Sequence, residues 1–203
     1  MAEHEPSIGL SSDWYTPPEI FDTLGLVFDL DPCSPGPEHW VPARRVYTKA
    51  DDGLTQPWEG LVFMNPPFEG RNGHVPWLRK FFEHGNGIAI VRAYTSSAWF
   101  HEYVVPRAET MLFPRGKTKF IRPDGSIGSA PGHGVVLLGM GEVANAALRQ
   151  SGLCFFVGVN RVVGADGGLP TPQPRRSRAN VEPTGDGLFP EMSQSYHSKE
   201  WKR

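Results

Sequence analysis

The chain has 203 residues, of which 39% are hydrophobic and 21% charged, so it has the size of one ordinary domain with a buried core. It has no run of roughly 20 apolar residues, and its first residues lack the basic start and apolar middle of a secretion signal, so we expect a cytoplasmic protein without membrane spans. Two cysteines without a Cys-x-x-Cys pair and 7 scattered histidines predict neither a disulfide framework nor a bound metal.

Charge is divided unevenly along the chain, although the formal net charge is only −2. Residues 1–60 carry 11 acidic and 3 basic side chains, a balance of −8, whereas the remainder carries +6. Such segregation arises by chance on many surfaces, but it is also typical of a protein with an anion-binding face. The charge division therefore leaves a polyanionic partner open.

Predicted helices and strands alternate along the first half of the chain. The apolar runs at residues 26–31 and 61–64 stop abruptly at proline or polar residues, which is typical of buried strands that end in turns. A helix entry at residues 13–24 is indicated by Thr16 as N-cap, two prolines in the first turn and apolar side chains at helical spacing. The elements predicted up to residue 105 are a helix at 13–24, strands at 26–31, 45–47 and 61–64, a helix at 75–84, a strand at 87–91 and a helix at 98–105.

A long, polar, glycine-rich connection marks the second half of the chain. Apolar runs at residues 110–113 and 134–138 flank this connection, which predicts two antiparallel strands with a projecting loop between them. A short helix at residues 144–150 and a last strand at residues 153–159 follow. The predicted fold is α/β, with a doubly wound, mainly parallel sheet that carries an antiparallel edge hairpin.

The apolar periodicity ends near residue 164. From there to residue 203 the chain is rich in Pro, Gly, Ser and Arg, a composition typical of disordered segments. We therefore predict one folded domain over residues 1–163, followed by a disordered basic tail over residues 164–203.

Two of the predicted strands end in residues that can carry chemistry. Asp31 ends one strand, and Asn65-Pro-Pro-Phe68 follows another; in an open parallel sheet, ligands bind outside the carboxyl ends of the strands. The two prolines remove two backbone donors, so the turn offers carbonyl oxygens that only accept hydrogen bonds. An exocyclic amine fits such a turn, because its two protons meet the Asn65 amide oxygen and the Pro66 carbonyl while Phe68 stacks on the attached ring.

The Asn65 turn has two interpretations. Asn and Pro are common turn residues, so the four residues also suit a plain turn that closes a strand. In the functional interpretation, the two acceptors help the amine nitrogen become tetrahedral, which exposes a lone pair for in-line attack on an electrophilic methyl group. This reaction requires no acid–base pair.

Several further motifs surround the Asn65 turn, in order, between about Asp13 and about Gly141. They are Asp13-Trp-Tyr-Thr-Pro-Pro-Glu19, Leu30-Asp-Pro-Cys-Ser34, Asp51-Asp-Gly-Leu54 with Gln56 and Trp58, Trp99-Phe100, and Phe113-Pro-Arg-Gly116 with Lys119-Phe120. Together with Asn65-Pro-Pro-Phe68, the set resembles the phage-type DNA N6-adenine methyltransferase (Dam-like) family. The resemblance implies a Rossmann-like methyltransferase fold and transfer of a methyl group from S-adenosylmethionine to N6 of an adenine flipped out of DNA.

The resemblance also implies a role for individual residues. Asn65, Pro66, Pro67 and Phe68 are the implied catalytic residues. Cofactor binding is implied for Trp14, Tyr15, Thr16, Pro17, Asp31, Pro32, Cys33, Asp51, Asp52 and Gly53. By the same resemblance, Thr16 lies near the methionine carboxylate, Asp31 faces the methionine ammonium group, and Asp52, with Asp51 as second choice, accepts from the adenine amine. Each of these polar residues also suits a purely structural role as a helix cap or turn residue.

The connection between the two antiparallel strands is basic. Lysine and arginine clusters of this kind contact phosphates in DNA-binding proteins, although charge runs are usually solvated faces. Phe120 or Trp99 is the aromatic side chain expected to fill the space left by an extruded base. The predicted DNA-binding residues are Arg115, Lys117, Lys119, Phe120, Arg122 and Trp99.

Three alternative functions stay open at this point. The N4 amine of cytosine has the same two-proton geometry as the N6 amine of adenine. A protein glutamine or RNA methyltransferase also uses an Asn-Pro-Pro-aromatic turn, to hold an amide or a base. A catalytically silent DNA-binding relative would keep the fold without the reaction. The recognition sequence on DNA and the oligomeric state have no signature in the chain.

Overall fold

The computed structural model describes residues 14–36, 39–67, 73–122, 124–128 and 133–158, the last five of them by their backbone alone. The strands in this part of the chain are β1 (Phe28–Asp31), β2 (Ala43–Val46), β3 (Val62–Met64), β4 (Gly87–Arg92), β5 (Thr110–Pro114), β6 (Val135–Met140) and β7 (Cys154–Gly158). The helices are α1 (Pro18–Leu24), α2 (Val75–His84), α3 (Glu142–Gln150) and a short π-helical segment (Phe100–Val104). Phe68 and the predicted tail lie outside the described residues.

The described strands form one sheet in the order β2-β1-β3-β4-β6-β5-β7. The first four run parallel to one another, whereas β6 is antiparallel to both β4 and β5, and β7 is antiparallel to β5. The predicted α/β class and the antiparallel pairing of β5 with β6 are therefore confirmed. The hairpin is not the outermost feature of the sheet, because β7 pairs along the free side of β5.

Alternating side chains on the strands supply two separate cores. Along β4, Ala89 and Val91 pack with α2 and the π-helical segment, whereas Ile88 and Ile90 pack with α1 and α3. β3 divides in the same way, with Phe63 on the α1 face and its two neighbours on the α2 face. Successive side chains of a strand point to opposite faces, so an uninterrupted apolar strand needs helices on both sides. The sheet is accordingly covered on both faces.

Parallel pairing of β1 and β3 brings two strand ends together. Leu30 of β1 pairs with Val62 of β3, and both strands run in the same direction. Asp31 is the last residue of β1, and Asn65 directly follows β3. The two polar residues that the sequence places at strand ends therefore lie at the same edge of the sheet.

Several predicted element boundaries differ from those in the structure. Thr16 is not the N-cap of α1; Pro17 is, with ψ 143°, because a residue that precedes proline is driven to extended backbone. The helix predicted at residues 98–105 is a π-helical turn over most of its length. The second strand covers Ala43–Val46, because its half-exposed side chains carry little apolar signal.

Asp29 ties β1 to the residues that lead into β3. Its Oδ2 accepts a hydrogen bond from the Leu61 amide at 2.8 Å, and its Oδ1 accepts one from Arg44 at 2.5 Å. The Leu61 hydrogen bond, followed by the one from Arg44, lowers the pKa of this carboxyl. Gly60 lies against the Asp29 carboxyl group and has φ +72°, and a Cβ atom on Gly60 would lie 2.3 Å from Oδ2 of Asp29. The turn before β3 thus requires glycine both for its positive φ and for the lack of space beside Asp29.

We expect Gly60→Ala to destabilise the fold more than Gly25→Ala does. Both glycines have positive φ, at +72° and +61°, but nothing lies within 4 Å of a Cβ atom built on Gly25. The control therefore measures backbone strain alone, about 1–2 kcal/mol, and the collision with Asp29 adds roughly 1–3 kcal/mol. Urea denaturation measures both losses in free energy of unfolding, and equal losses would contradict the assignment.

Candidate active site

A cavity opens at the carboxyl ends of β1 and β3. Its wall is formed by the segment before α1, the turn after β1, the loop at residues 48–53 and the turn after β3. The predicted catalytic and cofactor-binding residues among those that line it are Trp14, Tyr15, Thr16, Asp31, Pro32, Cys33, Asp52, Gly53, Asn65, Pro66 and Pro67. Pro17 and Asp51 are described but do not line the cavity. The structure thus brings most of the predicted cluster together.

Asp31 is a carboxyl group inside the protein. Its side chain is only 2% exposed, and Oδ1 accepts a hydrogen bond from the Cys33 amide at 2.9 Å. Burial raises the pKa of Asp31 to about 7, and the hydrogen bond offsets only part of that increase. Burial, reinforced by the nearby carboxylate, also raises the pKa of the Cys33 thiol well above its usual value. The carboxylate form of Asp31 therefore gains from any cation that contacts it.

Asn65 is held by one end of its side-chain amide. Nδ2 donates to the Trp14 carbonyl oxygen at 2.7 Å. Oδ1 is buried and has no hydrogen-bond partner among the described residues. Because the amide nitrogen is taken up by Trp14, the oxygen is the group left to accept from another molecule. The adjacent Pro66 is buried, and it contributes a carbonyl but no N–H.

The segment Trp14-Tyr-Thr16 is fixed by its backbone. Tyr15 exchanges two hydrogen bonds with Ile121, at 2.9 and 3.0 Å. The indole of Trp40 donates to the Thr16 carbonyl at 2.7 Å, and its ring meets the Tyr15 ring edge-on at 5.1 Å. The Thr16 side chain is 2% exposed, and its hydroxyl has no partner in the described part of the chain. Like the Asn65 oxygen, this hydroxyl is a polar group held at the cavity wall.

The loop that carries Asp52 and Gly53 packs directly against the turn after β1. A Cβ atom on Gly53 would lie 2.1 Å from the Pro32 carbonyl oxygen, so only glycine fits here. Asp52 has φ 53°, a left-handed conformation that is uncommon for a residue with a side chain. Asp51 closes the turn instead, because its Oδ2 accepts from the amide and the hydroxyl of Thr48. Of Asp51 and Asp52, only Asp52 lines the cavity.

Lys80 of α2 holds the same loop from outside. Its Nζ donates to the carbonyl oxygens of Gly53, Leu54 and Gln56 at 3.2, 2.6 and 2.5 Å. The ammonium also lies 5.2 Å from the centre of the Trp58 ring. Burial lowers the pKa of Lys80, while the charge of Asp52 acts in the opposite direction. One side chain therefore satisfies three carbonyls of a loop that has no regular secondary structure.

The predicted DNA-binding residues fall into two groups. Arg115, Lys117, Lys119 and Arg122 are exposed. Trp99 is 6% exposed and Phe120 is 7% exposed, and each belongs to one of the two cores. Neither aromatic side chain lines the cavity. The prediction that one of them fills the space left by an extruded base therefore requires that side chain to leave its core.

The sequence patterns missed several residues of the cavity wall. His39 lines the cavity, and its Nδ1 is buried without a partner among the described residues. Trp77 also lines it and stacks on Trp58 with ring centres 6.4 Å apart. Both have ordinary local surroundings in the chain and reach the site through tertiary packing. No local signal marks them.

The described residues hold neither a metal-binding cluster nor a membrane-spanning helix. Its residues contain no group of three or more His, Cys, Asp or Glu side chains that could hold a metal ion. None of its helices is long and apolar enough to cross a membrane.

Comparison with known proteins gives one match. The family model described as "DNA N-6-adenine-methyltransferase (Dam)" matches residues 9–138. No curated protein and no solved structure matches the chain. The matched residues include all strands and turns that form the cavity wall.

We expect Asp31→Asn to raise the free energy of unfolding, relative to the natural protein, more at pH 8 than at pH 5. The folded-state pKa of about 7 exceeds the ordinary value of 3.8, so between these values the folded protein keeps a proton that the unfolded chain has lost. The free energy of unfolding therefore falls as pH rises through this window, by an amount on the order of a few kcal/mol, and Asn removes that loss. Chemical denaturation at both pH values measures it.

Asp29→Asn on the same strand is the matched control. Its pKa is lowered, so the ionised carboxylate stabilises the fold at both pH values and replacement should be unfavourable at each. An Asp31→Asn variant with the same stability relative to the natural protein at pH 5 and pH 8 would contradict the burial argument.

We expect Lys80→Met to loosen the loop at residues 51–58 while the sheet stays folded. The substitution removes three hydrogen bonds to loop carbonyls but keeps most of the apolar stem. Amide hydrogen exchange in the loop should become faster by roughly tenfold, the effect of about one lost charge-assisted hydrogen bond. Arg79→Met is the control, because this neighbour bonds Tyr103 instead. Equal exchange in both variants would show that Lys80 does not hold the loop.

Proposed function

The chain belongs to the DNA N-6-adenine-methyltransferase (Dam) family, whose model matches more than half of its length, and from this premise we propose a specific reaction. The protein transfers a methyl group from S-adenosylmethionine to the exocyclic N6 amine of an adenine that has been flipped out of DNA. The observation that carries the proposal is the Asn65 side chain, whose nitrogen is held by Trp14 and whose buried oxygen has no partner among the described residues.

The residues around the cavity fit S-adenosylmethionine. Asp31 would hold the methionine ammonium group, since a cation beside a buried carboxyl favours its ionised form. The Thr16 hydroxyl and His39 Nδ1 are buried polar atoms in need of partners, and the cofactor carries a carboxylate and ribose hydroxyls. Asp52 would accept from the amine of the cofactor's adenine. When bound, the cofactor supplies an electrophilic methyl group.

Asn65 and Pro66 would prepare the target amine for attack. Each of the two N–H bonds of the amine donates to one acceptor, the Asn65 amide oxygen or the Pro66 carbonyl. Two acceptors on one side of the ring favour a tetrahedral nitrogen, whose lone pair then points away from them. Phe68 would stack on the base, and Pro67 fixes the backbone between the two.

The proton balance requires no catalytic base. The new N–CH3 bond would form with the lone pair of the amine while the S–CH3 bond of the cofactor breaks and leaves its electron pair on sulfur. The nitrogen then loses one of its two protons. Neither an amide oxygen nor a peptide carbonyl is basic enough to keep that proton, so it passes to water after transfer. The residues of the turn therefore act by holding the amine and not by removing a proton.

The substrate side of the proposal rests on four exposed cations, Arg115, Lys117, Lys119 and Arg122. They lie on the connection whose Ile121 pairs with Tyr15 at the cavity wall. Phosphates bound there would place a DNA strand across the mouth of the cavity.

We expect Asn65→Ala to abolish methyl transfer while cofactor binding persists. The variant loses the acceptor for the amine, which should lower the transfer rate by at least about a hundredfold. Calorimetry should find a cofactor affinity within about threefold of the natural protein, because Asp31 is unchanged and Ile121 and Trp40 still hold the segment of Thr16. Nucleoside mass spectrometry of treated DNA measures the product.

Asn86→Ala is the matched control for this experiment. Its amide also donates to a backbone carbonyl, that of Gly60, but it does not line the cavity. The control should make N6-methyladenine at the natural rate, and single-molecule sequencing of the same DNA maps the modified sites. N4-methylcytosine as the product, or full activity in Asn65→Ala, would overturn the proposal.

A further inference from the structure

Residues 120–122 and 124–128 form a small hairpin beside the cavity. Ile121 pairs with Ile127, Gly128 donates to the Phe120 carbonyl at 2.8 Å, and Arg122 donates to the Ser126 carbonyl at 2.9 Å. Ile121 also pairs with Tyr15, so the hairpin extends the segment before α1 as a neighbouring strand. We call it the 120–128 hairpin; its residue 123 is not described.

The same hairpin encloses the indole ring of Trp14. The guanidinium carbon of Arg122 lies 5.6 Å from the centre of the ring. A Cβ atom on Gly128 would lie 2.6 Å from Cζ3 of Trp14, so the ring packs directly on the glycine backbone. The ring is therefore held by a cation and by a backbone position that has no room for a side chain.

Trp14 is also the residue that orients Asn65. Its carbonyl oxygen accepts the Asn65 amide at 2.7 Å, and that bond decides which end of the amide is left to accept from a substrate. Because Tyr15 is the next residue and exchanges two hydrogen bonds with Ile121, the hairpin fixes the backbone immediately beside that carbonyl. Ring and backbone of Trp14 are thus both set by the hairpin.

We propose that the 120–128 hairpin positions Asn65 for catalysis through Trp14, with Gly128 as the positioning residue. The role of Asn65 in this inference rests on the proposed function. Gly128 does not line the cavity, and it acts by the place it leaves for the Trp14 ring. A displaced ring would move the Trp14 carbonyl and turn the Asn65 amide away from the target amine.

Gly128→Ala tests the proposal, with Gly134→Ala as the matched control. At position 128 the added methyl group would lie 2.6 Å from Cζ3 of Trp14 and 2.9 Å from the Phe120 carbonyl oxygen of the hairpin itself, whereas at position 134 it meets only the Ala93 methyl at 4.0 Å. At saturating DNA and cofactor, the rate of single-turnover transfer should fall roughly tenfold to a hundredfold in Gly128→Ala, with the dissociation constant for DNA within about threefold. The control should match the natural protein in both.

A second readout does not depend on activity. The side-chain amide resonance of Asn65 in nitrogen-15 spectra is assigned by its loss in Asn65→Ala. It should shift in Gly128→Ala and stay in place in Gly134→Ala. Trp14→Phe removes Cζ3 and keeps the carbonyl, so the double variant Trp14→Phe/Gly128→Ala should return the resonance toward its natural position. If Gly128→Ala melts below the assay temperature, Arg122→Met probes the ring from its other side and should shift the same resonance.

The outcomes separate the two proposals. An unchanged Asn65 resonance in Gly128→Ala, or a double variant no better than the single one, would overturn the positioning role. Failure of the natural protein to methylate any DNA would overturn the proposed function, and the resonance would still decide whether the hairpin orients the Asn65 amide.

Discussion

The hydrogen bond from Asn65 to the Trp14 carbonyl is the interaction on which the site depends. It joins two segments that are 51 residues apart in the chain, one at the end of a central strand and one that precedes the first helix. The strand end is rigid because it belongs to a sheet covered on both faces. The other segment has no sheet of its own and takes its order from Asn65, Ile121 and Trp40. The cavity wall therefore forms only when the whole domain is folded.

Several groups at the cavity lower the stability of the fold. Asp31 is a buried acid without a cation among the described residues, and the Thr16 hydroxyl and the Asn65 oxygen are buried without partners there. Asp52 adds a strained backbone. Three of the unpartnered buried atoms, those of Thr16, His39 and Asn65, line this one cavity, and unsatisfied polar atoms beside a buried acid are typical of a binding site. The apolar cores and the Lys80 contacts offset this local loss.

Sequence patterns predicted the helices and strands well where burial gives the apolar residues a regular spacing. Helix α2 was predicted at its observed bounds, Val75–His84, and the polar ends of β1 and β3 were recognised because apolar runs stop there. Prediction failed where tertiary contacts decide. Lys80 reaches loop carbonyls 24 to 27 residues away, and no local pattern marks it. The burial of Trp99 and Phe120 in the two cores also depends on tertiary packing that no local pattern marks.

The contact between Gly53 and the Pro32 carbonyl limits how such a protein can change over evolutionary time. The two loops meet backbone to backbone, with no side chain between them to absorb a shift. An insertion or deletion in either loop would have to be matched in the other, whereas the exposed turn around residue 125 has no such neighbour. Length variation among descendants of this chain should therefore collect in that turn, and the spacing from Asp31 to Gly53 should be inherited as a unit.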